Sequence, residues 1–203
     1  MKQITLQSFY FPLIYLLDRC NMNSKTHIVI LGLLSEEPLS GYDIKKLIDI
    51  RFRFFWSESY GQIYPTLKKM VKEGLINALS LSKDNRGKQR YEITALGRET
   101  LHLWQTQEPE KESLRLELLL KMYFSLGSDP QTLINFIKSF QSNHSQDLMI
   151  LNAFKKELSS IPDPYQNHQN ILSVIEFGVK TNTAYLQWCQ ETLKQLEDSH
   201  ESN

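Results

Sequence analysis

The stretch Ser59-Tyr60-Gly61-Gln62-Ile63-Tyr64-Pro65-Thr66-Leu67-Lys68-Lys69-Met70-Val71-Lys72-Glu73-Gly74-Leu75 constrains this chain more than any other. Ile63, Leu67, Met70 and Val71 fall at i, i+4, i+7 and i+8, the spacing of one apolar helix face. Ser59 and Gln62, three residues apart, form a capping box at its start. Gly74 suits the left-handed position just past a helix end. Together they predict a short helix over about 60–73. Pro65 falls within the first two turns, where a missing N–H does limited damage. Gln62, Thr66 and Lys69 form a second, polar stripe, flanked by Tyr64, Lys68 and Lys72. Taken alone this is an amphipathic surface helix; its surroundings give the polar stripe its meaning.

Upstream, residues 25–35 are apolar nearly all round and predict a buried helix capped by Ser24. Glu36-Glu37-Pro38-Leu39 reads as a turn. Ser40 caps a second helix over 41–50, with Asp43 as its capping partner and Ile44, Leu47 and Ile48 on its inner face. Phe52, Phe54, Phe55 and Trp56 make an aromatic knot, read as core beneath the opening helix. Downstream of Gly74, Leu75, Asn77, Leu79 and Leu81 alternate with Ile76, Ala78, Ser80 and Ser82, and Tyr91 and Ile93 alternate with Lys88, Arg90 and Glu92, the period of a hairpin. Lys83-Asp84-Asn85-Arg86-Gly87 is its turn. Thr94 caps a further helix with Leu96, Leu101, Leu103 and Trp104 on the buried side.

Three helices, a basic-tipped hairpin and another helix give a mostly α chain whose order fits a winged helix-turn-helix. The third helix matches the width of a major groove, where polar side chains reach base edges. The wing would lie along the flanking backbone, with Lys83, Arg86 and Lys88 on phosphates. Tyr60, Thr66 and Lys69 complete the face offered by the helix. Charge supports this division. Formal net charge is +0, but residues 24–105 carry 13 Lys and Arg against 9 Asp and Glu, whereas residues 106–203 carry 8 against 13. That asymmetry suits a basic working domain joined to an acidic partner domain.

The blocks Gly41-Tyr42-Asp43-Ile44, Phe55-Trp56, Ser59-x-Gly61-Gln62-Ile63-Tyr64-Pro65-Thr66-Leu67, Gly74-Leu75, Arg90-Tyr91-x-Ile93-Thr94-x-x-Gly97 and Arg115-x-Glu117-x-Leu119-Leu120-Lys121-x-x-Phe124 resemble, in order and spacing, the PadR family of winged-helix transcriptional regulators. The tail is similar to the longer branch of that family, with virulence-activator-type C-terminal helices. The resemblance implies a homodimeric regulator of double-stranded DNA, commonly a repressor and often released by a small-molecule effector. Carried over by position, it places Tyr42, Ser59, Gln62, Tyr64 and Lys68 at the DNA. Asp84 and Asn85 depart from the pattern by sitting among the wing's basic residues, and residues 1–21 have no counterpart.

The reading therefore divides the chain into an N-terminal extension (1–23), a winged helix-turn-helix domain (24–107) and a C-terminal α-helical dimerisation domain (108–203). In the extension, Ile4 to Leu17 is apolar but too short to span a bilayer. Met22-Asn23-Ser24 resembles a second start, so translation is expected to begin at Met22, the other reading being an extra amphipathic helix packed on the dimer. In the last domain, Leu114 to Phe124 predicts a short helix. Ser128 with Gln131 predicts a capping box opening a long helix to about 160, and a final helix runs over about 167–197. There, Leu172, Ile175, Val179, Asn182, Leu186, Cys189, Leu193 and Leu196 alternate steps of three and four, a coiled-coil seam expected to face a second copy. Phe177, Thr181, Ala184, Tyr185 and Trp188 make a second face, expected to pack on the long helix.

Cys20 and Cys189 give neither a disulfide framework nor metal spacing, which suits a reducing cytoplasm. His27, His102, His144, His168 and His200 are scattered. No nucleophile–base set, phosphate loop or metal cluster stands out, so neither an enzyme nor a cofactor is expected. Trp56, His102, Trp104, Tyr123 and Trp188 could line an aromatic effector cavity, though ordinary core is the stronger reading. The rival function is a winged-helix protein-interaction module, which would place apolar groups where residues 60–69 place polar ones.

Overall fold

The structure, a computed structural model, describes residues 25–79, 89–127, 129–163 and 166–201. The chain divides into two units, Met1–Glu110 and Lys111–Asn203. It is mostly α with a small antiparallel sheet, and the architecture is a winged helix-turn-helix followed by a C-terminal helical domain.

The first unit is built around α1 (Thr26–Glu36), which buries Ile28, Ile30, Leu31, Leu33 and Leu34 because almost every side of it is apolar. The expected cap Ser24 lies outside the described residues, and Lys25 at the N-cap makes no side-chain capping bond. Next comes β1 (Leu39–Ser40), where the sequence had suggested only a turn. Leu39 lies opposite Tyr91 and Ser40 opposite Arg90 of β3 (Arg90–Ile93). The Arg90 side chain also donates to the carbonyl of Pro38, which draws the turn onto the strand edge. On the other side β2 (Ile76–Ala78) pairs with β3, Ile76 opposite Ile93, so the sheet order is β1-β3-β2. Ser80, Leu81, Ser82 and the basic tip Lys83, Arg86 and Lys88 lie outside the described residues.

Ser40 ends β1 and caps α2 (Gly41–Arg51). Its Oγ accepts from the Asp43 N–H at 3.2 Å, and the Asp43 carboxylate accepts from the Ser40 N–H at 3.3 Å. The capping box of α3 (Tyr60–Lys72) is complete too. Ser59 Oγ accepts from the Gln62 N–H at 3.2 Å, and Gln62 Oε1 accepts from the Ser59 N–H at 2.9 Å. At its far end Gly74 takes φ +73°, the Leu75 N–H donates to Met70 O at 3.0 Å and the Gly74 N–H to Val71 O at 3.1 Å. This paired stop turns the chain directly into β2.

Two expectations about side chains need correcting. The aromatic knot is core only in part: Phe52 packs on the core and Phe54 and Trp56 are partly covered, but Phe55 is half exposed and meets Phe52 and Phe54 at 5.8 and 4.9 Å between ring centroids. In α4 (Ala95–Gln105), capped by Thr94, the buried residues are Gly97 and Thr100, while Leu96 and Leu101 are partly covered and Trp104 is exposed. The helix makes its tightest approach on its smallest residue. A Cβ at Gly97 would stand 2.2 Å from Leu75 O.

In the second unit α5 (Glu117–Tyr123) is shorter than expected, and α6 (Pro130–Leu158) and α7 (His168–Glu201) pack along each other. The N-cap of α6 is Asp129, not Ser128. Its carboxylate accepts from the N–H groups of Gln131 and Thr132 at 3.2 and 3.1 Å. Pro130 explains the shift, since a proline at the first helical position has no N–H left to satisfy. Ile134, Ile137, Cys189 and Leu193 form the core, bordered by Leu118, Met122, Phe140, Trp188 and Leu196. Among the described residues no helix is long and apolar enough to cross a membrane.

Candidate nucleic-acid interface

The inner face of α3 seats it firmly: Ile63, Leu67 and Met70 are each 0% exposed. Val71, expected in the same stripe, is 37% exposed. At 100° per residue it stands about 80° round from Ile63, at the edge of the buried arc. With this face sealed, the remainder of the helix must face outward.

Two tyrosines dominate the outer surface. Tyr60 and Tyr64, one turn apart, stack with centroids 6.1 Å apart and planes 21° apart, and both are nearly half exposed. Lys45, from α2, holds its ammonium 5.7 Å from the Tyr60 ring. Gly41 lets Tyr64 lie flat on the start of α2: a Cβ there would stand 2.7 Å from Tyr64 Cε1 and 3.1 Å from Leu67 Cδ1. Tyr91, on β3, is influenced by Tyr64; burial first, and then that neighbour, push its hydroxyl above the usual phenol range. Tyr42, Lys68 and Lys72 are exposed.

The polar stripe is engaged differently from the expectation. Ser59 and Gln62 serve the cap just described. Thr66 Oγ1 donates to Gln62 O at 2.7 Å, and Lys69, partly covered, lies 3.8 Å from the Glu73 carboxylate. Gln62 therefore has its Nε2 group left to offer, while its oxygen serves Ser59. Reading adenine with both ends of the amide would require releasing that oxygen. The exposed polar side chains left on the helix are Tyr60, Tyr64, Lys68 and Lys72, while Lys45, beside Tyr60, is largely covered and paired with Asp49. The expected wing contacts Lys83, Arg86 and Lys88 lie outside the described residues.

Sequence reasoning missed Lys45 and Glu58. Lys45 is signalled by nothing more than a basic residue on the helix before. Glu58 is the acid standing between Trp56 and the cap Ser59. It is 5% exposed and accepts from Thr26 Oγ1 at 2.8 Å and from Trp56 Nε1 at 2.9 Å.

The seam on α7 is also placed differently. Ile175, Asn182, Cys189 and Leu193 are buried within the single chain, and Leu172, Val179, Leu186 and Leu196 are partly covered. Asn182, read as a register-setting polar group, finds its partners in the same chain: its Oδ1 lies 2.7 Å from His144 Nδ1 and its Nδ2 donates to Gly178 O at 2.8 Å. A seam reserved for a second copy would be open here, whereas this one packs toward α6. The second face is divided. Tyr185 and Trp188 join Phe140 in an edge-to-face ring cluster, but Phe177 is open, as are Ile171 and Val174 on the turns before it. Leu119, Leu120, Tyr123, Phe124 and Leu126 are open as well, so Tyr123 is not core. His102 and Trp104 are also exposed.

Comparison with known proteins bears on this surface. Residues 30–103 match the model of the Transcriptional regulator PadR-like family, and residues 114–197 match that of the Virulence activator alpha C-term family. The PadR-like transcriptional regulator of Bacillus cereus is 30% identical, with a TM-score of 0.71 over 86% of this chain and 99% of that one. The negative transcriptional regulator PadR of Bacillus subtilis is 28% identical over 83% of this chain and 95% of its own. Its crystal structure with operator DNA has a TM-score of 0.69 at 27% identity, covering 83% and 96% of the two chains. That with p-coumaric acid has a TM-score of 0.65 at 27% identity, covering 86% and 99%.

Proposed function

This chain belongs to the PadR-like family of transcriptional regulators, and from that premise we propose that it is a homodimeric repressor that binds an inverted-repeat operator in duplex DNA. The observation that carries the reading is the outer face of α3. A helix sealed by Ile63, Leu67 and Met70 offers Tyr60, Tyr64 and Lys68 outward. Phenol hydroxyls and an ammonium suit phosphate oxygens and base edges, and although the two half-exposed rings bring some apolar surface, each of these side chains ends in a polar group. Ser59, Gln62, Thr66 and Lys69 shape this face, and Tyr42, Lys83, Arg86 and Lys88 are proposed as further DNA contacts.

Homodimerisation is supported by the open apolar side chains of the second unit, Ile171, Val174 and Phe177 on α7 and Leu119, Leu120, Tyr123 and Phe124 on and beside α5. These replace the α7 seam as the surface assigned to a second copy. Two copies related by a two-fold axis would read half-sites about one helical turn, roughly 34–36 Å, apart. Repression is supported by the negative regulator among the relatives, and release by a small effector by its complex with p-coumaric acid. A cytoplasmic place is the natural one for such a protein.

The test is selection of randomised duplex DNA with sequencing at two salt concentrations. The expected result is an enriched inverted repeat whose affinity falls steeply with salt. A folded, dimeric chain that enriches nothing, with and without candidate phenolic acids, would overturn the reading in favour of a protein-docking winged helix.

A further inference from the structure

We propose that Glu58 is a positioning residue for DNA reading, a buried carboxylate that sets where and at what angle the reading helix α3 begins. The inference rests on the DNA-binding role proposed above. Glu58 directly precedes Ser59, the N-cap of α3. It is 5% exposed, and both of its oxygens are occupied: Oε2 accepts from Thr26 Oγ1 at 2.8 Å and Oε1 from Trp56 Nε1 at 2.9 Å. Thr26 opens α1, the helix at the centre of the unit's core, and lies 32 residues away in sequence. The chain just before α3 is thus tied to α1, the helix on which α3, α4 and β3 pack.

The chemistry explains why an acid stands here. A carboxylate withdrawn from water is costly unless hydrogen-bonded, and an apolar side chain would fill the same space without that cost. What the acid adds is direction. Bonds to an ionised acceptor are shorter and stronger than neutral ones, and two of them at the two oxygens fix the plane of the group. The first turn of α1 contains no acidic residue and its N-cap makes no side-chain bond, so Glu58 also brings negative charge to the positive end of that helix. The remaining anchors of α3, Ile63, Leu67 and Met70, are apolar. Such contacts resist lifting the helix away but are non-directional, and they oppose rotation about its axis far less. Tyr60 and Tyr64 project from the first turns, closest to the tie, and the length of their side chains turns a small rotation of the helix about its axis into a larger sideways shift of their hydroxyls.

The test uses the full chain with three variants. E58Q keeps the shape and removes the charge, while T26V and W56F each remove one donor and keep the acid. Affinity for the selected operator and for random duplex is measured at two salt concentrations, together with amide hydrogen exchange of residues 60–63. The expected result for E58Q is a specific-to-random affinity ratio lowered about tenfold, the discrimination of roughly one base contact. T26V and W56F should give part of that loss. Random-duplex affinity and its salt slope should stay at wild-type values while the amides of 60–63 exchange faster. A merely structural role would lower both affinities together along with the thermal midpoint. That pattern, or an unchanged ratio in folded T26V and W56F, overturns the proposal. A wild-type chain that selects no sequence overturns the DNA role itself and the positioning role with it, an outcome told apart because the unmutated protein fails.

Discussion

In the first unit Ile30, Leu31, Ile44, Ile48, Ile63, Leu67 and Met70 are sealed by neighbours from the same chain, whereas in the second Leu120, Tyr123, Phe124, Leu126, Met149 and Phe177 are more than half exposed. The sequences of the two regions are comparably apolar, so the difference lies in geometry. Around α1, the helices α3 and α4 and the strand β3 converge, and one central element can be covered on most sides. The second unit has two long helices and one short one. Two parallel cylinders bury one line of contact and leave the rest of each surface open. The lesson is that an apolar residue need not be buried by its own chain: in the first unit the chain covers itself, and in the second it leaves apolar surface open.

The largest effects should fall where the chain is self-sufficient. Leu67→Ala should destabilise the first unit by about 2–5 kcal/mol through the lost side chain and the cavity left behind, read by chemical denaturation. Leu126→Ala, a residue of the same type left open, should shift the same measurement by less than roughly 0.5 kcal/mol. Comparable losses in the two would erase the contrast. Next comes the open surface. Phe124→Asp together with Phe177→Asp should weaken self-association by about 2 kcal/mol or more while helix content is kept, seen as a monomer at micromolar concentration in sedimentation. A double variant that stays dimeric would move the partner surface elsewhere. Ser59→Ala removes a capping acceptor and should cost the first unit about 1 kcal/mol, measurable as a lower denaturation midpoint. The smallest effect on stability belongs to Lys68→Ala. It should leave the fold unchanged and reduce the salt slope of DNA binding by about one charge per subunit; an unaltered slope would remove Lys68 from the DNA-facing side.

What the sequence disclosed depended on distance along the chain. Both capping boxes, Ser40–Asp43 and Ser59–Gln62, and the Gly74 stop were legible because each is completed within a few residues. β1 was hidden, since Leu39–Ser40 is too short to show alternation and exists through pairing with β3, some fifty residues later. The cap of α6 was misplaced by one residue because two good capping types adjoin and Pro130 decides between them. The α7 seam was correctly seen as an apolar face, but spacing alone cannot distinguish a helix of the same chain from that of a mate. In the reading face, Tyr60, Tyr64 and Lys68 were named from position. That Glu58 reaches back to Thr26, 32 residues earlier, is a fact of three-dimensional contact that no local pattern encodes.

The seat of Tyr64 on Gly41 bears on how such a protein can change over generations. With ring carbon and backbone this close, a larger residue at position 41 is a disruptive first mutation while the tyrosine remains. If position 64 shrinks first, the remaining close neighbour is Leu67 Cδ1 at 3.1 Å, the end of a flexible side chain, so the same replacement costs less, and once made it blocks the tyrosine from returning. The two positions form a ratchet in which history, as well as selection for a given operator, decides which residues a descendant carries.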